Sequence, residues 1–278
     1  MSVTHTLAQA RQAGILALQE QQTSAGLDVD CLLTAVTGLS RSQILAFDER
    51  LLSAHEYKRY TALLARRQRG EPIAHLIGYR DFIDFTIKVA PSVLIPRPET
   101  EHLVEAALEQ PADRVLDLGT GSGCIAIALA RAWPASTIHA VDRSPEALEI
   151  AQQNARALQA DQIRFFAGDW YAPVAVQQYA LIVSNPPYIG LNEPELQQGD
   201  VRFEPSLALT SGTDGLSALR QIIAGAPARL AAGGRLWVEH GYQQAQAVRE
   251  LMAAQHLIDI ETRYDLAGHE RITGGRTQ

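Results

Sequence analysis

The run Val115-Leu116-Asp117-Leu118-Gly119-Thr120-Gly121-Ser122-Gly123, followed at once by the helical pattern of residues 125–132, limits the possible folds of this chain more than any other feature. A short apolar strand that empties into a glycine loop and then a helix is the opening unit of an open α/β sheet. Glycines let the backbone approach a ligand closely, and the N-terminal end of the next helix favours negative charge. The spacing is G-x-G-x-G. Cys124 stands where the dinucleotide fingerprint G-x-G-x-x-G requires its last glycine. Further on, the apolar stretch Ile138-His139-Ala140-Val141 ends in Asp142, which is placed to accept hydrogen bonds from ribose hydroxyls. A ligand carrying a nucleoside is expected.

A second strand-like run, 179–184, ends in Asn185-Pro186-Pro187-Tyr188. Prolines fix φ and lack N–H groups, so this turn is stiff and its carbonyls stay free to accept. Asn185 adds a side-chain amide oxygen and Tyr188 a flat ring. Together they are suited to hold a planar –NH2 group by both hydrogens and one face. Asn185, Pro186 and Tyr188 are therefore the candidate catalytic residues, and the whole tetrad, Pro187 included, is the candidate substrate-binding turn.

These two stretches resemble the class I S-adenosylmethionine-dependent methyltransferases. The tetrad narrows the likeness to enzymes that methylate planar amino groups: adenine N6, cytosine N4 or glutamine N5. Residues 71–78 (EPIAHLIG), 93–101 (VLIPRPETE) and 238–241 (VEHG) narrow it again, because they look like the bacterial release factor glutamine N5-methyltransferases, the HemK/PrmC family. The resemblance covers nearly the whole chain. It implies an α/β fold with a doubly wound seven-stranded sheet whose last two strands form a reversed edge hairpin. It also implies S-adenosyl-L-methionine as cofactor and peptide-chain release factors as protein partners, modified on the glutamine of a Gly-Gly-Gln loop. The cofactor would be held by Asp117, Gly119, Thr120, Gly121, Ser122, Gly123, Asp142, Asp169, Trp170 and Asn185.

Each of these residues also has a plainer reading. The glycines can simply make a tight turn, and Asp117 can brace a loop. Asp169 can accept from an adenine amino group with the Trp170 indole on the purine face, or Trp170 can cover the core edge. The tetrad can be an ordinary turn with an exposed aromatic. Arg97 and Glu101 sit in a proline-braced loop that either reaches the cofactor or pins a joint between domains. His240 is left unassigned, and the histidines show no zinc spacing, so no metal is expected.

At 278 residues the chain is long enough for two domains. We expect a helical substrate-recognition domain over 1–76, a β-hairpin linker over 77–97 and a catalytic domain over 98–278. Residues 1–78 carry eight Lys/Arg and seven Asp/Glu, whereas the remainder carries sixteen and twenty-four. A catalytic portion that acidic repels a duplex phosphate backbone, which disfavours direct nucleic-acid binding. The basic cluster Lys58, Arg59, Arg66, Arg67 and Arg69 reads either as a solvated helix face or as a surface for an acidic or RNA-associated protein. No apolar run has membrane-spanning length and the N-terminus lacks an export signal. The two cysteines, Cys31 and Cys124, read as reduced core residues. A cytoplasmic monomer is expected.

Local patterns place the elements. Ser53-Ala54-His55-Glu56 is a capping box opening a helix with Tyr60, Leu63 and Leu64 on one face. Leu27, Leu32, Leu33 and Val36 form another stripe, and Gly78 marks the helical exit. Residues 81–89 alternate as one strand should. Strands are expected at 114–118, 137–142, 162–167 and 179–184, and near 234–240, 257–262 and 269–273. Ser144 before Pro145 starts a helix. Two other classes stay open at this level. One is a silent cofactor-binding adaptor, which an intact tetrad disfavours. The other is an NAD-dependent dehydrogenase, which the glycine spacing disfavours.

Overall fold

Polar caps and apolar stripes in the N-terminal stretch fold as α1 (Leu7–Leu18), α2 (Ala25–Thr37), α3 (Arg41–Ala46), α4 (Ala54–Gln68) and α5 (Ile73–Ile77). The computed structural model describes residues 5–19, 24–174 and 178–278. It divides into two units, the first ending at Tyr79 and the second spanning Arg80–Gln278. In the first unit, the Ser53 hydroxyl accepts from the Glu56 N–H while Glu56 accepts from the Ser53 N–H at 2.7 Å. That reciprocal cap starts α4 where the sequence says it should. Gly78, at φ 85°, closes α5. The core joins Leu7, Leu18, Val29, Leu32, Leu33 and Ile44 around Tyr60, whose hydroxyl donates to the Ala10 carbonyl at 3.0 Å.

Two expectations need correction in this unit. Leu27 is 52% exposed, so the buried stripe of α2 runs through Val29, Leu32, Leu33 and Val36 instead. The basic cluster is not one surface. Lys58 and Arg59 are exposed, but Arg66 pairs with Glu71, and Arg67 is buried against Asp28 at 2.7 Å. Burial on both sides of that ion pair makes it costly to break, because the abandoned charge cannot reach water. Arg67→Ala would leave Asp28 with the Ser24 hydroxyl as its remaining side-chain donor among those described. We expect a loss of about 3 kcal/mol, read as a lower denaturation midpoint of the full chain in urea.

The second unit opens with a hairpin. Residues 81–89, expected as one alternating strand, lie across β1 (Tyr79–Phe82), a turn at Ile83 and Asp84, and β2 (Phe85–Lys88). Ile83 takes φ 54°, an uncommon conformation for a β-branched residue, and its N–H donates to the Glu101 carboxylate at 3.1 Å. No Gly or Asn signals this turn in the sequence.

The main sheet contains β3 (Arg114–Leu118), β4 (Thr137–Asp142), β5 (Ile163–Ala167), β6 (Tyr179–Ser184), β7 (Leu230–Glu239), β8 (Ile258–Tyr264) and β9 (Glu270–Arg276). Their spatial order is β5-β4-β3-β6-β7-β9-β8. Neighbours from β5 to β7 are parallel; β9 runs antiparallel between β7 and β8. This is the doubly wound sheet with a reversed edge hairpin. Helices α6 (Pro98–Leu108), α7 (Cys124–Ala132) and α8 (Pro145–Ala157) pack side by side. A short α9 (Ser206–Leu209) follows, and then α10 (Ser217–Gly225) and α11 (Ala245–Ala254), which bury Leu219, Ile222, Val248 and Met252 against Leu116, Ile182 and Leu236 of the sheet.

Strands covered on both faces read as near-continuous apolar runs, which is why β3, β4 and β6 were visible in the sequence. Asn154 of α8 clamps β2 by accepting from the Lys88 N–H at 2.9 Å and donating to its carbonyl at 3.0 Å. The Trp237 indole lies over Gly274, where any Cβ would stand 2.4 Å from the ring. Cys31 is half-buried and Cys124 is buried. No helix among the described residues is long and apolar enough to cross a membrane.

Candidate active site

The chain winds from β3 out to β5 and then returns to place β6 beside β3, and an open α/β sheet binds its ligand at such a reversal. Leu118 pairs with Ser184, whose hydroxyl donates to the Leu118 carbonyl at 2.6 Å. The glycine loop and the proline tetrad thus leave the sheet from adjacent, mutually tied strand ends. The Gly119 and Thr120 N–H groups both donate to the Val141 carbonyl, at 2.8 and 3.0 Å. Gly121 takes φ 56° and Gly123 φ 85°. A Cβ at Gly123 would also press on Ala151 of α8 at 3.1 Å, whereas at Gly121 it would meet open space. Gly121 is therefore required by the backbone alone, and Gly123 by backbone and packing together.

A cavity of about 610 Å³ opens here. Gly119, Thr120, Gly121 and Ser122 line one part of it, Asp142 and the pair Asp169 and Trp170 another, and Thr100, Asn185 and Pro187 a third. Asp117, Gly123, Pro186 and Tyr188 are not among the lining residues. Asp142 uses both carboxylate oxygens on backbone: Oδ2 accepts from Gly121 N–H at 2.8 Å and Oδ1 from Ser144 N–H at 2.9 Å. Burial raises its carboxyl above the usual range. The Asp169 side chain is exposed, 3.7 Å from Arg143. Trp170, at φ 43°, sets its ring 3.5 Å from where a Gly119 Cβ would stand, and it packs in part on the sheet core.

Asp117 lies beneath the loop, fully buried. The Thr120 hydroxyl donates to its Oδ2 at 2.6 Å, and Oδ1 has no partner among the described residues. Burial pushes this carboxyl up to about 7 against the Thr120 bond, and the charge of Asp142 adds to the rise. A carboxyl raised in the folded state stabilises the fold when protonated. Its contribution is whole below the ordinary aspartate value of 3.8 and is lost as pH rises through about 7. The stability of the ligand-free wild type relative to Asp117→Asn should therefore decline across that window, measured by thermal denaturation of both proteins as a function of pH. A constant difference would refute it.

The tetrad is held by a polar chain that sequence reading missed. Asn185 Nδ2 donates to Thr100 Oγ1 at 3.0 Å, and the Thr100 hydroxyl donates to Glu239 Oε2 at 2.8 Å. The Tyr188 hydroxyl donates to Glu239 Oε1 at 3.3 Å. Asn185 Oδ1 is buried without a partner among the described residues. Burial pushes the Glu239 carboxyl up to about 7, opposed by the Thr100 hydroxyl, and the charge of Glu99 adds to the rise. The Tyr188 ring packs against the sheet core, and its carbonyl accepts from Gln244 Nε2 at 2.9 Å.

Arg97 and Glu101 hold different segments. Arg97 donates to the buried Glu204 at 2.6 Å, while Glu101 takes the Ile83 N–H. His240 is fully buried, with Nδ1 on the Gly241 carbonyl at 2.9 Å and Nε2 on the Thr273 hydroxyl at 2.8 Å. The only signal for Glu239 was its place in the 238–241 stretch, and for Thr100 its place in the 93–101 stretch; Glu204 had none.

These residues fit S-adenosylmethionine. The cavity has the volume of a nucleoside-sized ligand site. The open space at Gly121 allows close approach, and the lining supplies acceptors in the carboxylates of Asp142 and Asp169, with the Trp170 ring beside them. Such a molecule carries ammonium, amino and hydroxyl donors for those acceptors.

Comparison with known proteins gives the same direction. Residues 98–197 match the family described as "Methyltransferase small domain", and residues 9–78 match "PrmC N-terminal domain". A protein named "Release factor glutamine methyltransferase" from Burkholderia pseudomallei is 48% identical over 260 residues, covering 90% of this chain and 91% of its own. One of the same name from Escherichia coli is 49% identical over 253 residues, with the same coverage of 90% and 91%. Among solved structures, a methyltransferase from Pyrococcus furiosus shares the fold at a TM-score of 0.55 and 15% identity, covering 78% of this chain and 98% of that one. With a methyltransferase sheet, a nucleoside-sized cavity beside an Asn-Pro-Pro-Tyr turn, and relatives matched at this identity over nine-tenths of the chain, this protein belongs to the release factor glutamine methyltransferase family.

Proposed function

We propose that this protein transfers a methyl group from S-adenosyl-L-methionine to the side-chain amide nitrogen of the glutamine in the Gly-Gly-Gln loop of peptide-chain release factors. One observation carries the reading: a buried asparagine oxygen without a partner among the described residues, on a rigid turn, beside a cavity that fits the methyl donor. Bound S-adenosylmethionine would supply an electrophilic sulfonium methyl, so the cofactor brings the hard chemistry. This chain's residues must present a poor nucleophile. A carboxamide nitrogen delocalises its lone pair into the carbonyl. Asn185 Oδ1 and the Pro186 carbonyl each accept one amide N–H, which orients the nitrogen and favours its pyramidal form as positive charge develops. Tyr188 closes the turn beside them, anchored on Glu239. The N-protonated amide left after transfer is a strong acid and gives its proton to water, so no strong general base is required.

Donor binding is assigned to Gly119, Thr120, Gly121, Ser122 and Asp142, with Asp169 and Trp170 at the purine end. Residues 1–76 serve as the substrate-recognition domain, 77–97 as a linker and 98–278 as the catalytic domain. The excess of twenty-four acidic over sixteen basic residues beyond residue 78 supports a protein substrate over a nucleic acid. The test is incubation with S-adenosylmethionine and an unmodified release factor, followed by peptide mass mapping. A single added methyl on the Gly-Gly-Gln glutamine is expected. Label in DNA or RNA, with none on the factor, would move the assignment to a nucleic-acid amino group.

A further inference from the structure

The side-chain amide of Asn185 can sit either way round, and only one orientation serves the proposed reaction. With Oδ1 toward the substrate it accepts an amide hydrogen; with Nδ2 there, two donors would face each other. What decides between them lies outside the tetrad. Glu239 ends β7, whose Val238 pairs with Ser184 at the end of β6, so its carboxylate stands next to the turn. In its ionised form, which burial confines to pH above about 7, this carboxyl group only accepts. The Thr100 hydroxyl spends its single hydrogen on Glu239 Oε2 at 2.8 Å. Thr100 Oγ1 then has only lone pairs to offer Asn185, and it takes the Nδ2 donor at 3.0 Å. Asn185 Oδ1 is left without a partner among the described residues. The second carboxylate oxygen takes the Tyr188 hydroxyl at 3.3 Å, so both ends of the tetrad hang on one side chain that is 1% exposed.

We infer that Glu239 is a positioning residue that acts through the Thr100 hydroxyl to fix the acceptor orientation of the Asn185 amide. The inference rests on the proposed reaction for its kinetic consequence, but not for its structural one. An isolated buried carboxylate weakens a fold. Here its two oxygens collect hydroxyl donors from α6 and from the tetrad, two segments that meet at this strand end. Glutamine at the same place would replace one acceptor with an NH2 donor. On the Oε2 side that donor turns the Thr100 hydroxyl toward Asn185 and favours the wrong face of the amide.

Three variants test this: Glu239→Gln, Thr100→Val and Thr100→Ser. Each is assayed for kcat and KM on a release factor and for S-adenosylmethionine affinity. The Asn185 side-chain NH2 resonances are followed by NMR, assigned by their disappearance in Asn185→Asp. Glu239→Gln and Thr100→Val should lower kcat about ten- to a hundredfold, with KM and donor affinity nearly unchanged, and Thr100→Ser should recover most of what Thr100→Val loses. In the wild type one Nδ2 hydrogen should exchange slowly, and both disruptive variants should lose that protection. Wild-type kcat in both, or unchanged Asn185 resonances in both, overturns the inference. If Glu239→Gln does not fold, Thr100→Val decides alone. If the wild type methylates no release factor, the proposed function fails, while the amide resonances still decide the orientation.

Discussion

Asn185→Ala is expected to lower methyl-transfer turnover by about 10²- to 10³-fold, the cost of removing a preorganised hydrogen-bond partner of the reacting group. S-adenosylmethionine affinity should change far less, because Asn185 is one lining residue among many and its Nδ2 is already engaged by Thr100. The split follows from where the work is done. The Asn185 oxygen has no partner within the described residues, and in the proposed reaction it accepts from the substrate amide. The measurement pairs single-turnover kinetics on a release factor with calorimetric titration of the donor. Turnover near the wild-type rate would sink the assignment of Asn185 to the reacting nitrogen. A large loss of donor affinity with kcat intact would make it a cofactor ligand instead.

Asp142→Ala should show the opposite split. Its carboxylate receives the Gly121 and Ser144 N–H groups while it lines the cavity, so its removal takes away the proposed ribose acceptor and two bonds that shape the glycine loop. Hydrogen bonds to a charged group contribute about 1.5–3 kcal/mol each, so donor affinity should fall by about 10²-fold, more than one such bond alone would require at the lower figure. Asp142→Asn keeps one acceptor and should fall between. At saturating donor, turnover of both should recover toward wild type, since neither touches the amide of the target. Donor affinity close to wild type in Asp142→Ala would remove this residue from the ribose.

The parts of the fold and site that were legible share one property: their causes lie within a few neighbouring residues. The glycine loop, the strand ends at Asp142 and Ser184, the Ser53 cap and the Ser144 helix start are each written in a single short window. The missed parts depend on residues brought together from far apart. Thr100 and Glu239 are separated by 139 positions, and Arg97 and Glu204 by 107, so no local pattern announces either contact. Arg67 was misread for a related reason. Its charge argues for solvent until Asp28, 39 positions earlier, is known to face it. The turn at Ile83 escaped because the backbone there is held by the Glu101 carboxylate rather than by a residue suited to left-handed φ. Leu27 satisfied helical spacing, but the buried side of α2 is centred on its neighbours.

The place of β9 inside the sheet has a consequence for how the chain is made. Residues 270–276 sit between β7 and β8, although both partners precede them in sequence. During vectorial synthesis β7 emerges with one long edge unpaired, and β8 follows with nothing to join. Leu236, Trp237 and Val238 belong to that waiting edge, and an unpaired apolar strand is a template for association between chains. The interval ends only when β9 has cleared the ribosome. A chain stalled before residue 270 would therefore carry its glycine loop and its proline tetrad, yet expose an aggregation-prone edge beside them.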